Sequence, residues 1–344
     1  MKYRPLADTG VFVSELCLGT MTFGGRGPMW EVMGGLDQSA VDTIVGRSIE
    51  GGINFIDTAD VYSDGESEAL VGRALGARRH DVVLATKVRA RMGKGANQVG
   101  LSRLHIISAV EASLKRLNTD YIDLYQIHRF DPLTGIEDTL RALDDLVHSG
   151  KVRYIGCSNL FAWQLMKALA ISGSEGLERF KCTQSYYSLA GRELEREMVP
   201  LLKDQGLGLL VWSPLAGGFL SGKFTRDHKD AAARRATFDF PPVDKDKAYG
   251  IVDAMRAVAD GHGVSVAQIA LAWVLAHEVV TSVIIGARKL EQLDDNLKSV
   301  DVTLSTEELK TLDEASRLAP EYPAWMDALP SDRRPGESRR FERQ

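Results

Sequence analysis

The segment Asn54-Phe55-Ile56-Asp57-Thr58-Ala59-Asp60-Val61-Tyr62 has the pattern of a buried strand that ends in polar residues. Its apolar part is β-prone, Gly51-Gly52 precede it, and Asp57 ends the apolar run. A strand that ends at a carboxylate, with a tyrosine five residues later, places two titratable side chains at one edge of a sheet. Taken alone, the pair is more simply explained as a strand end and an aromatic residue in a loop.

Two further apolar runs change this interpretation because each also ends in a titratable residue. Residues 82–86 are followed by Lys87, and residues 121–127 are followed by His128. Three strands that end in Asp, Lys and His, with Tyr62 beside the first, indicate that catalytic side chains are gathered at one edge.

From residue 39 onward the chain alternates between short apolar runs and segments with helical spacing. Strand-like runs lie near residues 15, 53, 82, 121, 153, 182, 208 and 282. Alternating β and α units predict a parallel sheet, and eight such units predict a closed α/β (β/α)8 barrel, the TIM barrel, whose active site lies where the strands end. The alternative is an open doubly wound sheet, but the first strand is not followed by GxGxxG.

Outside these units, residues 3–6 and 11–14 flank the turn Asp8-Thr9-Gly10 and predict an N-terminal β-hairpin. Residues 21–37 and 214–245 are predicted to be long irregular loops at the rim, and residues 193–203 a helix. We expect one barrel domain over residues 1–318, and a rim segment with a charged, flexible tail over residues 319–344.

The composition excludes several classes of protein. A hydrophobic fraction of 44% suffices for a full core, and a net charge of −5 gives no reason to expect a nucleic acid or membrane partner. No apolar run reaches 18 residues, and the N-terminus lacks the apolar core of a signal peptide. Cys17, Cys157 and Cys182 lie in apolar runs without CxxC, which favours reduced thiols and a cytoplasmic location. The histidines show no ligand spacing, so no metal site is expected.

Taken together, the motifs resemble those of the aldo-keto reductase family, in the same order, from about residue 3 to 316. The motifs are Asp57-(x)4-Tyr62, Lys87, His128, Gly156-Cys-Ser158-Asn159, Gln184, Trp212-Ser213-Pro214-Leu215 and Ile285-Gly286-Ala287-Arg288-(x)3-Gln292-(x)3-Asn296. The long loops and the Trp-Ser-Pro-Leu-Ala segment are similar to the bacterial branch that includes the potassium-channel β-subunit type.

The four strand-end residues suit the reduction of a carbonyl, which needs a hydride donor, an acid for the developing alkoxide and groups that polarise the C=O. Tyr62 is the candidate acid, and the Lys87 ammonium is expected to lower the tyrosine's pKa from its usual value of about 10. Asp57 is expected to pair with Lys87, and His128 to orient the substrate oxygen. Singly, each is also consistent with an ordinary residue at a strand end.

A second group of residues predicts a nicotinamide cofactor. The resemblance implies that Ser158, Asn159 and Gln184 hold the carboxamide, and Trp212 offers a flat face to the ring. A tryptophan of the barrel core is the alternative. Further candidate cofactor contacts are Gly19, Thr20, Met21, Asp57, Ser213, Pro214, Leu215 and Gly217.

The adenosine end is predicted after the last strand. Gly286 permits close backbone approach, Arg288 can grip a phosphate, and Gln292 and Asn296 share one helix face. Arg288 together with Lys223 favours NADP(H), with NAD(H) as the alternative if both cations are merely solvated. The segment 217–223 nearly matches a P-loop, but Phe224 replaces the required Ser or Thr.

The substrate is expected to be a small carbonyl compound or alcohol, aromatic or apolar, because Trp30, Phe130 and Trp325 lie in rim segments. These residues are equally consistent with packing within the loops. The leading hypothesis is a reversible aldehyde or ketone reductase. The alternatives are a cofactor-binding subunit that senses redox state, and a Schiff-base lyase that uses Lys87.

Overall fold

The chain begins with the predicted hairpin. In the computed structural model, which describes residues 1–25, 27–226 and 234–327, β1 (Tyr3–Pro5) pairs antiparallel with β2 (Phe12–Ser14). Arg4 donates hydrogen bonds to the carbonyl oxygens of Leu275 (2.6 Å) and Val280 (2.5 Å). The hairpin is thereby fixed across the amino-terminal end of the sheet.

Eight parallel strands close into the predicted barrel, so the fold class is confirmed. Each strand pairs with the next along the chain, and the last pairs with the first. The barrel strands are β3 (Leu16–Gly19), β4 (Phe55–Asp57), β5 (Val83–Val88), β6 (Ile122–Ile127), β7 (Val152–Ser158), β8 (Cys182–Tyr186), β9 (Gly208–Trp212) and β10 (Val280–Ile285).

Side chains inside the barrel form two layers because alternate strand residues face the same side. We call the lower one the apolar layer; it packs on Leu6 and Val13 of the hairpin and consists of Cys17, Phe55, Ala85, Leu124, Cys182, Leu210 and Ile284. Two residues further along the strands is the polar layer, which consists of Asp57, Lys87, Gln126, Ser158, Gln184 and Trp212. The intervening strand residues pack outward against the helices.

Helices follow the strands and cover the outside of the barrel. Ser102, predicted as an N-cap, accepts a hydrogen bond from the backbone N–H of His105 at 3.3 Å. The helices are α1 (Pro28–Met33), α2 (Gln38–Glu50), α3 (Glu66–Leu75), α4 (Arg103–Leu117), α5 (Ile136–His148), α6 (Ala162–Glu175), α7 (Met198–Gln205), α8 (Arg234–Thr237), α9 (Lys245–His262), α10 (Val266–Leu275), α11 (Leu290–Leu297), α12 (Thr306–Ser316) and α13 (Ala324–Asp327).

Three predicted segments differ from the structure. The helix predicted over residues 193–203 is a 3-10 turn, Glu193–Glu195, followed by α7, because Pro200 lacks the N–H that a helix interior requires and is tolerated only in a first turn. The loop over residues 21–37 contains α1, and the loop over residues 214–245 contains the 3-10 turn Ala216–Ser221 and α8. Residues 328–344 of the predicted tail lie outside the described residues.

In the part of the chain that the structure describes, no single helix has the length and apolar character needed to cross a bilayer. Only α9 and α10 taken together meet those criteria, and they are bent by 97° relative to each other.

Candidate active site

The polar layer contains the ion pair that the sequence predicts. Lys87 Nζ donates hydrogen bonds to Asp57 Oδ2 (2.6 Å) and to the Thr58 carbonyl oxygen (2.8 Å), and it lies 3.4 Å from the Tyr62 hydroxyl. The side chain of Lys87 is fully buried. Burial lowers the pKa of Lys87, but the charge and hydrogen bond of Asp57 and the interaction with Tyr62 outweigh it, so the pKa is raised. Lys87 is therefore held as an ammonium with all three hydrogens directed at acceptors.

Asp57 is fixed from its other side by two amides. Gln126 Nε2 donates to Asp57 Oδ1 at 3.0 Å, and Gln184 Nε2 donates to the same oxygen at 2.8 Å. Gln126 was missed at the level of sequence, although it lies two residues before His128 and so faces the same side of its strand. The carboxylate accepts hydrogen bonds from residues of three other strands, β5, β6 and β8, which holds Lys87 in one position.

Tyr62 enters this cluster because of the turn that it begins. Tyr62–Gly65 is a 3-10 turn in which Ser63 and Asp64 have left-handed backbones (φ 50° and 54°), and the Ser63 hydroxyl donates to the Phe23 carbonyl oxygen at 3.0 Å. Burial raises the pKa of Tyr62, Lys87 lowers it and Asp57 raises it again, and the net direction is upward. The expected lowering by Lys87 is present, but the larger effect of burial outweighs it, and Asp57 opposes it further. Tyr62 is therefore a neutral phenol, the protonation state of an acid.

His128 faces Tyr62 from the end of β6. The ring centroids lie 6.0 Å apart with an interplanar angle of 77°. The backbone N–H of His128 donates to the Val88 carbonyl oxygen at 2.9 Å. Burial, with the positive charges of Lys87, Arg89 and Arg129, lowers the pKa of His128 to about 3. The imidazole is therefore neutral at physiological pH and retains one N–H donor.

The predicted carboxamide residues form a linked group at the ends of β7, β8 and β9. The Ser158 hydroxyl donates to the Gln184 carbonyl oxygen at 2.8 Å. Asn159, in the left-handed region (φ 56°), donates from Nδ2 to the His128 carbonyl oxygen at 3.1 Å and accepts from Trp212 Nε1 at 3.1 Å. The amide nitrogen of Gln184 is already committed to Asp57, so among these side chains Asn159 is the exposed one.

Trp212 has an aromatic ring stacked on it. Phe240 lies parallel to the indole, with centroids 5.8 Å apart and planes within 7°, and Tyr186 lies at 5.2 Å and 33°. Neither partner was singled out from the sequence. The ring of Phe240 therefore stacks on the indole in this structure, and stacking of a nicotinamide on Trp212 stays a prediction.

Other candidate cofactor residues line the same edge. Gly19 is required where β3 meets β10, since a Cβ there would lie 2.6 Å from Ile284 Cγ2. Thr20 is buried and hydrogen-bonded to Ser67 at 2.9 Å, and Met21 is half-buried. The segment after β9 is a tight turn in which the Ser213 hydroxyl accepts from the Gly217 N–H at 2.9 Å, with Pro214 buried and Leu215 half-buried between them.

The predicted phosphate residues follow β10. A Cβ built on Gly286 would meet nothing within 4 Å, so the backbone is open there. Arg288 is exposed and donates a hydrogen bond to the Val32 carbonyl oxygen, while its own N–H is bonded to Gln292 Oε1 at 3.0 Å. Asn296 is buried on the same helix. Lys223 is exposed.

One of the three predicted substrate residues lies beside the catalytic group. Trp30, on α1, is buried with its ring 5.8 Å from that of Tyr62. Phe130 packs at 6.2 Å against Trp163, an exposed residue that the sequence reading missed. The contacts of Trp325 within the described ranges connect it to Tyr322 and Glu321 instead, so the structure does not bring it to this site. The same ranges hold no group of three or more metal-ligating side chains.

Comparison with known proteins gives a consistent result. Residues 15–317 match the model of the Aldo/keto reductase family. Versiconal hemiacetal acetate reductase of Aspergillus parasiticus is 38% identical, covering 91% of this chain and 96% of that protein. Norsolorinic acid reductase of Aspergillus flavus is 34% identical, covering 90% and 79%. A protein of Oryza sativa subsp. japonica named "Probable voltage-gated potassium channel subunit beta" is 36% identical, covering 88% and 92%.

Proposed function

Because the chain belongs to the aldo/keto reductase family, an oxidoreductase family, we propose that it reduces an aldehyde or ketone to an alcohol with NADP(H), and that Tyr62 is the acid. The observation that carries the proposal is the buried cluster in which Lys87 Nζ contacts both Asp57 and Tyr62 beside a neutral His128. Besides the cofactor, the proposed partner is a small molecule: the carbonyl substrate or, in the reverse direction, the alcohol.

Each residue has a separate task in this proposal. The N–H of His128 and the hydroxyl of Tyr62 donate hydrogen bonds to the carbonyl oxygen, which polarises the C=O. A reduced nicotinamide, when bound, supplies the hydride that adds to the carbonyl carbon. Tyr62 gives its proton to the oxygen, and the Lys87 ammonium stabilises the phenolate that remains until solvent reprotonates it. Asp57, with Gln126 and Gln184, keeps that ammonium in place.

The residues of the rim fit such a cofactor. Trp212 and Asn159 are suited to the ring and its amide, and the open backbone at Gly286 with Arg288 is suited to phosphate. The exposed cations Arg288 and Lys223 support NADP(H) over NAD(H), since a 2′-phosphate adds negative charge. Free buried thiols at Cys17, Cys157 and Cys182 support a reducing, cytoplasmic location.

A redox-sensing regulatory subunit is the second candidate, since one relative carries a potassium-channel subunit name. The Schiff-base lyase is disfavoured by the structure, because a lysine nucleophile needs a lowered pKa and that of Lys87 is raised.

The test follows reduced-nicotinamide absorbance with NADPH or NADH and a reactive aromatic aldehyde. We expect turnover that prefers NADPH and a kcat that falls by roughly 10²–10⁴-fold in Tyr62→Phe. The matched control is Tyr125→Phe, which removes a buried hydroxyl that has no hydrogen-bond partner in the described residues and should retain activity. Tight cofactor binding without turnover would instead favour the sensor, and no cofactor binding would contradict both functions.

A further inference from the structure

Two arginines that the catalytic cluster does not use lie on either side of His128. Arg89 follows the last residue of β5, and Arg129 follows His128 after the end of β6. Arg89 is half-buried and Arg129 is exposed. Both charges act on the imidazole, since each contributes to the lowered pKa of His128. The carboxyl edge of the barrel is therefore positively charged beside the residue that orients the substrate oxygen.

Arg89 is held in one orientation by its backbone. Its φ of 137° is unusual for a residue with a side chain, and its carbonyl oxygen accepts a hydrogen bond from the Gly100 N–H at 2.9 Å. Its Nε donates to the Phe130 carbonyl oxygen at 3.3 Å. These contacts join the loops after β5 and β6 and leave the two terminal nitrogens of the guanidinium available.

Neither arginine forms a direct ion pair with a carboxylate of the described residues, although the more distant charge of Asp131 acts on Arg89. Across residues 1–25, 27–226 and 234–327, no carboxylate oxygen lies within 4.0 Å of either guanidinium. The neighbouring carboxylate of Asp131 is buried and already accepts from the N–H groups of Leu101 (2.8 Å) and Leu133 (3.1 Å) and from the Thr134 hydroxyl (2.8 Å). Burial and the charge of Arg129 lower the pKa of Arg89, and the smaller opposing effect of Asp131 does not offset them. A bound anion would relieve both effects.

The order of the strands indicates that an anion bound by the two arginines belongs to the substrate and not to the cofactor. In the closed barrel β5 and β6 lie diametrically opposite β9 and β10, which carry Trp212 and the segment with Arg288. The residues suited to cofactor phosphates and the pair Arg89–Arg129 are therefore on opposite sides of the barrel mouth. On the arginine side, Phe130 and Trp163 add apolar surface.

We propose that Arg89 and Arg129 bind a carboxylate carried by the carbonyl substrate. Two guanidinium groups suit this role because each can donate parallel hydrogen bonds to both oxygens of a carboxylate. The proposal rests on the proposed reductase function and narrows its substrate class. The substrate is an aldehyde or ketone in which an aryl or other apolar spacer, packed on Phe130 and Trp163, separates the carbonyl from the acid.

The test compares 4-formylbenzoate with its methyl ester, which differ in charge at the same position on the ring. We expect the wild-type kcat/KM to favour the acid by about tenfold or more, the effect of one charge-assisted hydrogen bond. Arg89→Met and Arg129→Met should each remove most of this preference, because the kcat/KM of the acid falls by more than that of the ester. The control Arg103→Met removes the same charge from an exposed pair with Asp145 and should retain the preference.

Three outcomes would overturn the proposal. The first is equal wild-type kcat/KM values for the acid and the ester. The second is an equal loss of kcat/KM for both compounds in the arginine variants. The third is a rise of the KM for NADPH in those variants, which would assign the pair to the cofactor. If neither compound turns over, the proposed function fails, and quenching of tryptophan fluorescence still decides the arginine pair. Benzoate should then bind the wild type more tightly than benzamide and lose that advantage in Arg89→Met; equal binding would overturn the proposal.

Discussion

The apolar layer and the polar layer of the barrel are built by the same strands, two residues apart, yet they are held together differently. Phe55, Ala85 and Leu124 in the lower layer belong to an apolar cluster that includes the hairpin residues Leu6 and Val13. The residues two positions later, Asp57, Lys87 and Gln126, form a connected network with hydrogen bonds of 2.6–3.0 Å. Two residues further along the strands, the barrel interior thus changes from apolar packing to a network that depends on hydrogen bonds.

The difference indicates where stability and chemistry reside. A buried ion pair such as Asp57–Lys87 stabilises a fold little relative to apolar residues of the same size, because both charges lose their hydration. The apolar layer has no such cost; every strand except β7 contributes a buried residue to it, and β7 contributes the half-buried Tyr154. We infer that the lower layer holds the barrel closed and that the upper layer is retained for reaction chemistry.

The largest effect is expected from Lys87→Met, which leaves Asp57 buried without its ammonium. The free energy of unfolding should fall by about 3–5 kcal/mol. The kcat should fall by roughly 10²-fold or more, because the Tyr62 phenolate loses the charge that stabilises it. Urea unfolding and reduced-nicotinamide absorbance measure the two quantities.

Adding Asp57→Asn to that variant separates the two effects. The double variant should recover much of the lost stability, since no unpaired charge remains, but should not recover kcat. Full stability in Lys87→Met alone, or restored activity in the double variant, would contradict the role given to the pair.

The matching change in the apolar layer is Leu124→Ala, two residues before Gln126. It should lower the free energy of unfolding by about 2–5 kcal/mol through loss of buried surface and formation of a cavity. The kcat, measured at a temperature where the variant is folded, should remain near that of the wild type. Leu124→Met, which nearly conserves volume, should cost less than about 1.5 kcal/mol. A kcat loss as large as that of Lys87→Met would show that the layers are not separate.

The barrel itself was predictable because its signal repeats. Eight apolar runs, nearly all followed by a helical pattern or a long loop, required no knowledge of long-range contacts. Asp57, Lys87 and His128 were found because strand ends share one edge. Alternation along β6 would also have found Gln126. The split before Pro200 was likewise readable from the missing N–H.

What the sequence could not give depends on contacts between distant segments. The pKa of Tyr62 depends first on burial and then on the charges of Lys87 and Asp57, and the balance of these effects cannot be deduced from the spacing of the residues in the sequence. The stacking of Phe240 on Trp212 joins the end of β9 to a residue 28 positions later, in the long loop that follows. Arg89 was overlooked because only its unusual φ and its contact with Phe130 bring it to His128.

Outside the barrel, Asp60 sharpens the same contrast, because it is a buried acid whose oxygens have no hydrogen-bond partner in the described residues. The charged groups around it are Glu68 on α3, Arg116 on α4 and Lys87 on β5, and burial followed by Glu68 raises its pKa from 3.8 to about 8. Between these pH values the unfolded chain has released the proton and the folded chain retains it. Stability therefore falls as the pH rises from about 4 to about 8, by up to about 1.4 kcal/mol per pH unit.

Asp60→Asn, which keeps the shape and cannot ionise, should remove this dependence. The difference in the free energy of unfolding, variant minus wild type, should increase from pH 5 to pH 8 and level off above pH 8. Urea denaturation at each pH measures this difference. Asp123→Asn is a control, since that carboxylate already accepts from Arg79 at 2.8 Å and from the Leu84 N–H at 2.9 Å and should show no such rise. A constant difference for Asp60→Asn would mean that Asp60 ionises normally. A rising difference would show that Asp60, a buried carboxyl group without hydrogen-bond partners in the described residues, stays protonated in the folded chain. Asp57, a few residues away, would then differ from it in having the hydrogen bonds that stabilise a buried charge.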